Sequence, residues 1–397
     1  METTTKTLRA YATATSLQEQ KRNYYSVCSL FIAFVCISFV IYIDITCMVY
    51  PHVQPSKSFW MYVSRQITAE GFPVFSWLYF LRIFLLAVSS ALITASAVYW
   101  SSRERMGYSA LYVKTNKIVF PKTNNLFSKS FQNLSLAALT CTCVSFLVVF
   151  LKSPTTFYWL CLEDHRIESL SDVLQFTDCG LFIYIWFLLG RKNFPKKRLY
   201  RLVAASFVVF FFLSAMEEVS WFQRVFHVKT PAAFSANLQN EINLHNFATH
   251  PVENFYYFAS FAFLVFVPFF KSKTQSLKNS PLLSLFTPDD FVLLFSVPFV
   301  AYNYTNLNVF AVQLSVGITF FILLHLMWRW YYQPSLLGWT IVIFLVFAAS
   351  QILFLKYGHR MVREYDVKEY KEMLIPLAFL VFGIGVLKKI RQRFNVI

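Results

Sequence analysis

From Tyr24 onward, apolar residues come in long unbroken blocks instead of recurring at helical or strand period between polar ones. Each block runs for roughly 18–25 residues, enough for a helix to cross a bilayer core of about 30 Å. Ten blocks can be placed, near 25–49, 73–99, 133–151, 168–189, 200–222, 255–270, 290–302, 308–328, 336–356 and 373–387. The seventh is short and carries Pro298, so it reads as broken or re-entrant. The pattern predicts an all-α, polytopic transmembrane helix bundle over 24–387. A polar tail, 1–23, precedes it and a short basic tail, 388–397, follows. No small-residue cleavage site closes the first block, which therefore reads as a retained signal-anchor.

Composition narrows the class further. Of 397 residues, 57% are hydrophobic and only 14% charged, against about 25% charged in soluble domains. A soluble enzyme, a disordered chain and a secreted disulfide scaffold are excluded. The seven Cys fall mostly inside apolar blocks without metal or redox spacing, and predict no disulfide framework. Nine Gly form no phosphate-binding loop, and the chain has no HExxH, nucleophile elbow or paired-Cys motif. An NTP-driven machine is not expected.

Charge sets the orientation. With ten crossings, the segments on the side of both termini hold 24 Lys+Arg and 5 Asp+Glu, and those on the other side 11 and 14. Arg82 and Asp178 fall within blocks. The sides carry +19 and −3, and positive loops stay inside. Both termini are therefore expected in the cytoplasm, anchored most plainly by Arg191, Lys192, Lys196, Lys197, Arg198 and Arg201. These loops suit orientation and contact with anionic lipid in the bilayer, not nucleic acid. The carboxylates collect at the extracytoplasmic ends of the helices, which is where a polar site is expected.

The densest polar run closes the fifth block: Glu217, Glu218, Ser220, Trp221, Gln223 and Arg224. Continued as a helix, it places Glu217, Ser220, Trp221 and Arg224 on one stripe. Two adjacent Glu there are costly unless paired, protonated or bound to a cation. Thr230-Pro231 then reads as the start of a short amphipathic outer-face helix to about Asn246. On it, Asn237, Glu241 and His245 share a row. Glu217, Glu218, Glu241 and His245 are the candidate catalytic groups. Arg224, Trp221, Gln223 and Asn246 are the candidate substrate contacts. Glu241 and His245, four apart, are also candidate ligands for a divalent metal such as Zn, although such a pair also serves as a structural hydrogen bond. Arg82 and Asp178 sit at similar depths and are a candidate buried pair, or else snorkel separately. His325 reads as a core histidine. Glu364, Asp366, Glu369 and Glu372, interleaved with Arg363, Lys368 and Lys371, read as a solvated, charge-laced helix start. A weak likeness in layout between Glu70–Ser76 and Glu163–Ser169 suggests an internal repeat.

The stretch from Glu217 to Asn246 resembles the signature of a family of uncharacterised, mostly bacterial polytopic membrane proteins: E-E-x-S-W-G-Q-R, then T-P, then N-x-Q-x-E-x-N-L-H-N. Here the matching residues are Glu217, Glu218, Ser220, Trp221, Gln223, Arg224, Thr230, Pro231, Asn237, Gln239, Glu241, Asn243, Leu244, His245 and Asn246. Phe222 stands where the pattern has Gly. Glu163-Asp164 with Glu168 resembles the family's E-D-G-x-x-E element, with His165 in place of Gly. The resemblance implies a bacterial inner (plasma) membrane and no particular reaction. CAAX-type intramembrane glutamate proteases also use paired Glu with Arg and His, but with a closer Arg and with His inside later spans. Alkaline-ceramidase-like hydrolases hold Zn with three His and an Asp, a set this chain does not supply at its outer face.

Three functions stay open. One is a membrane-embedded hydrolase or transferase acting on a lipid or lipid-linked substrate at the extracytoplasmic face, by metal-assisted or Glu/His acid–base chemistry. The second is a transporter or channel, which needs a second polar layer near Asp178, Arg82 and His325. The third is a structural or assembly factor, whose polar cluster only locks helices together.

Overall fold

The structure is a computed structural model. It describes residues 24–43, 77–112, 126–162, 165–191, 193–223, 225–234, 241–273, 280–303, 310–331, 336–363 and 366–394. The described residues are mostly helical and contain no strand. Nine helices among them are long and apolar enough to cross a membrane. In chain order the elements are α1 (Tyr24–Ile43), α2 (Trp77–Tyr112), α3 (Lys129–Lys152), α4 (Pro154–Leu160), α5 (Arg166–Arg191) and α6 (Lys197–Glu218). They continue as α7 (Thr249–Phe261), α8 (Val267–Lys273), α9 (Pro281–Phe286), α10 (Asp290–Ala301), α11 (Phe310–Tyr331), α12 (Leu337–Tyr357) and α13 (Asp366–Phe394). A π-helical turn, Ala262–Phe266, joins α7 to α8, so the two form one membrane-length rod.

Helix starts follow local chemistry. Ser128 accepts from the Phe131 amide at the head of α3. Ser153 and Ser280 cap α4 and α9, each with Pro in the first turn, where the missing N–H removes no bond. The Asp289 carboxylate accepts from the Val292 amide at the head of α10.

The chain divides into two compact units. The first takes in residues 1–118, 270–275 and 307–325, with α1, α2 and most of α11. Small hydroxyl residues hold it together. Ser26 and Ser96 share a hydrogen bond of 2.6 Å. Gly317 lies so close to α2 that a Cβ there would clash with the Ser90 side chain. Arg82, fully buried, donates to Gln313 within this unit.

The second unit, 119–269, 276–306 and 326–397, holds the polar chemistry. Here α5 packs along both α6 and α13. Phenylalanines fill the seam: Phe182, Phe207, Phe211, Phe263, Phe379 and Phe382 meet as stacked, tilted or edge-on rings. Helix α10 is different in kind. Its 12 residues span only about 18 Å, and every residue after the first is buried. Its C-terminal carbonyls end inside protein. Gln351 of α12 donates to the Ala301 carbonyl at 2.5 Å, and the Tyr302 hydroxyl donates to the Cys143 carbonyl at 3.1 Å. A helix end within an apolar bundle needs such partners, because water is not there to supply them.

Two differences from the sequence reading stand out. The fifth block stops at Glu218, where Ser220, Trp221 and Phe222 turn left-handed with φ of 47°, 53° and 60°. The last block starts seven residues earlier than read, at Asp366.

Candidate functional site

The left-handed turn after Glu218 reverses the chain and folds the two signature segments onto each other. Glu217 therefore does not share a continuous helical stripe with Ser220 and Trp221. One Glu217 oxygen accepts from Trp221 Nε1 at 2.9 Å, and the other from the Leu244 amide at 2.5 Å. The Glu241 carboxylate accepts from Ser220 Oγ, and Asn243 Nδ2 donates to Ser220 Oγ at 3.2 Å. Gln223 joins both sides: its amide donates to Thr230 Oγ1 at 2.7 Å, and its carbonyl accepts from the Ile242 amide at 2.6 Å. Buried Asn246 accepts from Thr249 Oγ1 at 3.4 Å.

This seam explains why residues 231–246 do not form the expected helix where they are described. A short 3₁₀ turn covers Ala232–Phe234 and another His245–Phe247, while Glu241–Leu244 is non-helical. The amides of Ile242 and Leu244 bond to side chains of Gln223 and Glu217, and so are unavailable to a helical ladder. Arg224 and residues 235–240, with Asn237 and Gln239, lie outside the described residues, as do Glu70–Ser76, Glu163 and Asp164 of the suggested repeat and Glu364 of the last cluster. The His245 side chain is likewise not described.

The two adjacent glutamates thus part ways. Glu217 is committed to the seam. Glu218, half-buried, has no hydrogen-bond partner among the described residues. Instead it lies within electrostatic reach of Glu372, Asp172, Glu168 and Glu253. These belong to α13, α5 and α7, whose ends converge here. Glu369 joins the same group.

The residues read as a solvated helix start therefore need correction. Lys368 and Lys371 are 7% and 2% exposed. Lys368 Nζ pairs with the Glu253 carboxylate at 2.5 Å. Lys371 Nζ stands 3.2 Å from the centre of the Tyr257 ring, and the Tyr257 hydroxyl donates to Glu372. Asp366, fully buried, takes Arg363 at 2.9 Å. In this cluster the carboxylates outnumber the lysines, and two tyrosines, Tyr256 and Tyr257, face them. A run of alternating acids and bases at a helix start looks the same in sequence whether water or three other helices cover it. Only the fold distinguishes them.

At the edge of the cluster, between α4 and α5, Cys161 is a buried free thiol. Burial pushes its pKa up, and the nearby Asp366 and Glu369 carboxylates add to this. It is therefore an inert thiol, not a nucleophile.

Arg82 donates to Gln313, and Asp178 has no hydrogen-bond partner among the described residues. Among those residues, no three His, Cys, Asp or Glu side chains gather in an arrangement that could hold a metal. Glu241 is engaged by Ser220 and Asn243. Comparisons with known proteins find no matching family model, no matching curated protein and no matching solved structure.

Proposed function

We propose that this integral membrane protein is a hydrolase or transferase embedded in the bilayer, acting on a lipid or lipid-linked substrate at the extracytoplasmic face, with Glu218 as its acid–base group. The observation that carries this reading is the division between the two glutamates. A carboxylate with no internal hydrogen bond, partly accessible and set among other acids, is held ready for a proton or a substrate hydroxyl. Glu372 and Tyr257 form the second half of the site. Lys371 lies buried beside them, against the Tyr257 ring. Glu217, Glu241, Trp221, Gln223 and Asn246 are then positioning residues that fix the turn after Glu218.

Ten crossings with both termini in the cytoplasm fit this reading. On α13, Tyr370 stacks on Tyr302 and Lys389 donates to the Thr287 carbonyl at 2.9 Å. Nineteen residues separate Tyr370 from Lys389, which is about 28 Å along a helix. The α9–α10 pair covers that depth and serves as a broken tenth crossing. Described ion pairs also join residues assigned to the same side: Arg329 with Asp290 at 3.0 Å on one, Lys368 with Glu253 on the other.

The test uses purified protein reconstituted into vesicles of mixed phospholipids, with lipid products followed by mass spectrometry. Glu218→Gln should lower turnover at least 100-fold, the usual scale of lost acid–base catalysis, without changing the unfolding midpoint. A Glu218→Gln protein that turns over lipid as fast as wild type refutes the assignment. A wild type inert towards every lipid class supports the assembly-factor reading instead.

A further inference from the structure

Below the acid cluster, α5 carries a second polar layer that the acid–base reading does not use. Asp178 is 0% exposed and Gln175 is 3% exposed. Both Asp178 oxygens and the Gln175 carbonyl oxygen lack a hydrogen-bond donor among the described residues. The two residues are three apart, hence neighbours on one helix face, with Cβ atoms about 5–6 Å apart. The opposite face of α5 carries the exposed Leu170, Val173 and Ile183. The polar face runs back toward the cluster. Gln175 Nε2 reaches Ser171 Oγ at 3.5 Å, and Ser171 donates to the Glu372 carbonyl. Glu168 and Asp172 lie above. From Glu168 to Asp178 the column extends about 15 Å along the helix, half the depth of a bilayer core.

Each buried acceptor left without a donor costs about 1–3 kcal/mol, and a charged one in the apolar interior costs more. With the Gln175 N–H turned toward Ser171, three orphan oxygens on one helix face are unsuited to an anion or a sugar. They match a small cation, which oxygen ligands alone can satisfy. The groups within electrostatic reach of Asp178 are neutral, Cys179 on α5 and Tyr256 on α7, and Tyr256 in turn neighbours Glu218 on α6 and Glu372 on α13.

We infer that Asp178 and Gln175 form a binding site for a small monovalent cation, a proton or Na⁺, entered from the acid cluster along the polar face of α5. The site is distinct from the acid–base role of Glu218. Substituting Glu218 by Gln should abolish turnover yet leave the cation response in place, so the two readings can fail separately.

The experiment uses the purified full-length protein in detergent, in NaCl or choline chloride of equal ionic strength. For a Na⁺ site, the unfolding midpoint of the wild type rises with Na⁺ and saturates. Gln175→Leu then needs at least tenfold more Na⁺ for the same rise, and Asp178→Asn shows no rise. Infrared spectra of protein carrying ¹³C-labelled aspartate distinguish the occupants. A protonated carboxyl band that is present in choline and absent in Asp178→Asn identifies the proton, and its loss on adding Na⁺ shows exchange at one site. Should Asp178→Asn fail to fold, the wild-type Na⁺ response, the labelled band and Gln175→Leu still decide the matter. A wild type with neither a Na⁺-dependent midpoint nor a protonated aspartate band overturns the inference.

Discussion

Replacing Glu217 by Ala should release the segment 241–247 while leaving the helices in place. Glu217 accepts two hydrogen bonds, from the Trp221 indole at 2.9 Å and the Leu244 amide at 2.5 Å. Bonds to a charged acceptor contribute about 1.5–3 kcal/mol each when buried. Both lie at the partly wet end of the helix, so a screened figure of about 1–1.5 kcal/mol each is appropriate. Together they amount to about 2–3 kcal/mol. With 1.4 kcal/mol for each factor of ten, local opening of the seam becomes roughly 30- to 140-fold more frequent. Hydrogen–deuterium exchange on peptides covering 241–247 reads this directly, since the Leu244 amide is one of the freed donors. Exchange in α5 and α13 should stay at the wild-type rate. Glu218→Gln, which removes no hydrogen bond, should leave 241–247 protected. If Glu217→Ala leaves these peptides protected and Glu218→Gln exposes them, the roles of the two glutamates have been assigned the wrong way round.

Other outcomes follow from the same geometry. At position 222, where φ is 60°, Gly should be more stable than Ala by about 1 kcal/mol; a continuous helix would give the opposite order, and the unfolding midpoints of Phe222→Gly and Phe222→Ala distinguish the two. Gln351→Leu strips the Ala301 carbonyl of its donor at the buried end of α10 and should cost about 1–3 kcal/mol, whereas an unchanged midpoint would mean that the carbonyl has another partner. Cys161 should resist maleimide in the folded protein at pH 8 and react once unfolded. Because its folded pKa is raised, the protonated thiol's contribution to stability is complete below the unfolded value of about 8.5 and is lost as pH rises beyond it. Cys161→Ala should therefore flatten the alkaline fall in stability, and a fall of unchanged steepness removes Cys161 from the account.

The helical membrane class was legible because long apolar blocks admit few other structures. Nearly every helix falls on a block, and even the odd seventh block, marked by Pro298, is the buried 12-residue α10. The structure bonds the segments Glu217–Gln223 and Glu241–Leu244 to each other, through a reversal that helical periodicity does not foretell. Periodicity extends a helix through Ser220 and Trp221, and nothing in a Phe foretells a left-handed φ. Gly at 222 would have signalled the turn. Glu218 was named beside Glu217, yet only the reversal sends them to different neighbours. Tyr257 carries no signal, and Glu372 and Lys371 read as part of a solvated helix start. Their spacing matches a wet helix start, and their burial comes from α5, α6 and α7, far away in sequence. Gln175 carried no signal beyond being three residues before Asp178.

The central claim is that the acid cluster around Glu218 opens to the extracytoplasmic side. Site-directed labelling in intact cells tests it most directly, with single cysteines in a background lacking the native seven. Leu244 is exposed beside the cluster, and Gln392 lies at the opposite end of α13. A membrane-impermeant maleimide should label Leu244→Cys without permeabilisation and Gln392→Cys only after it. Labelling of Gln392→Cys in intact cells, with Leu244→Cys protected until the membrane is opened, would contradict the account.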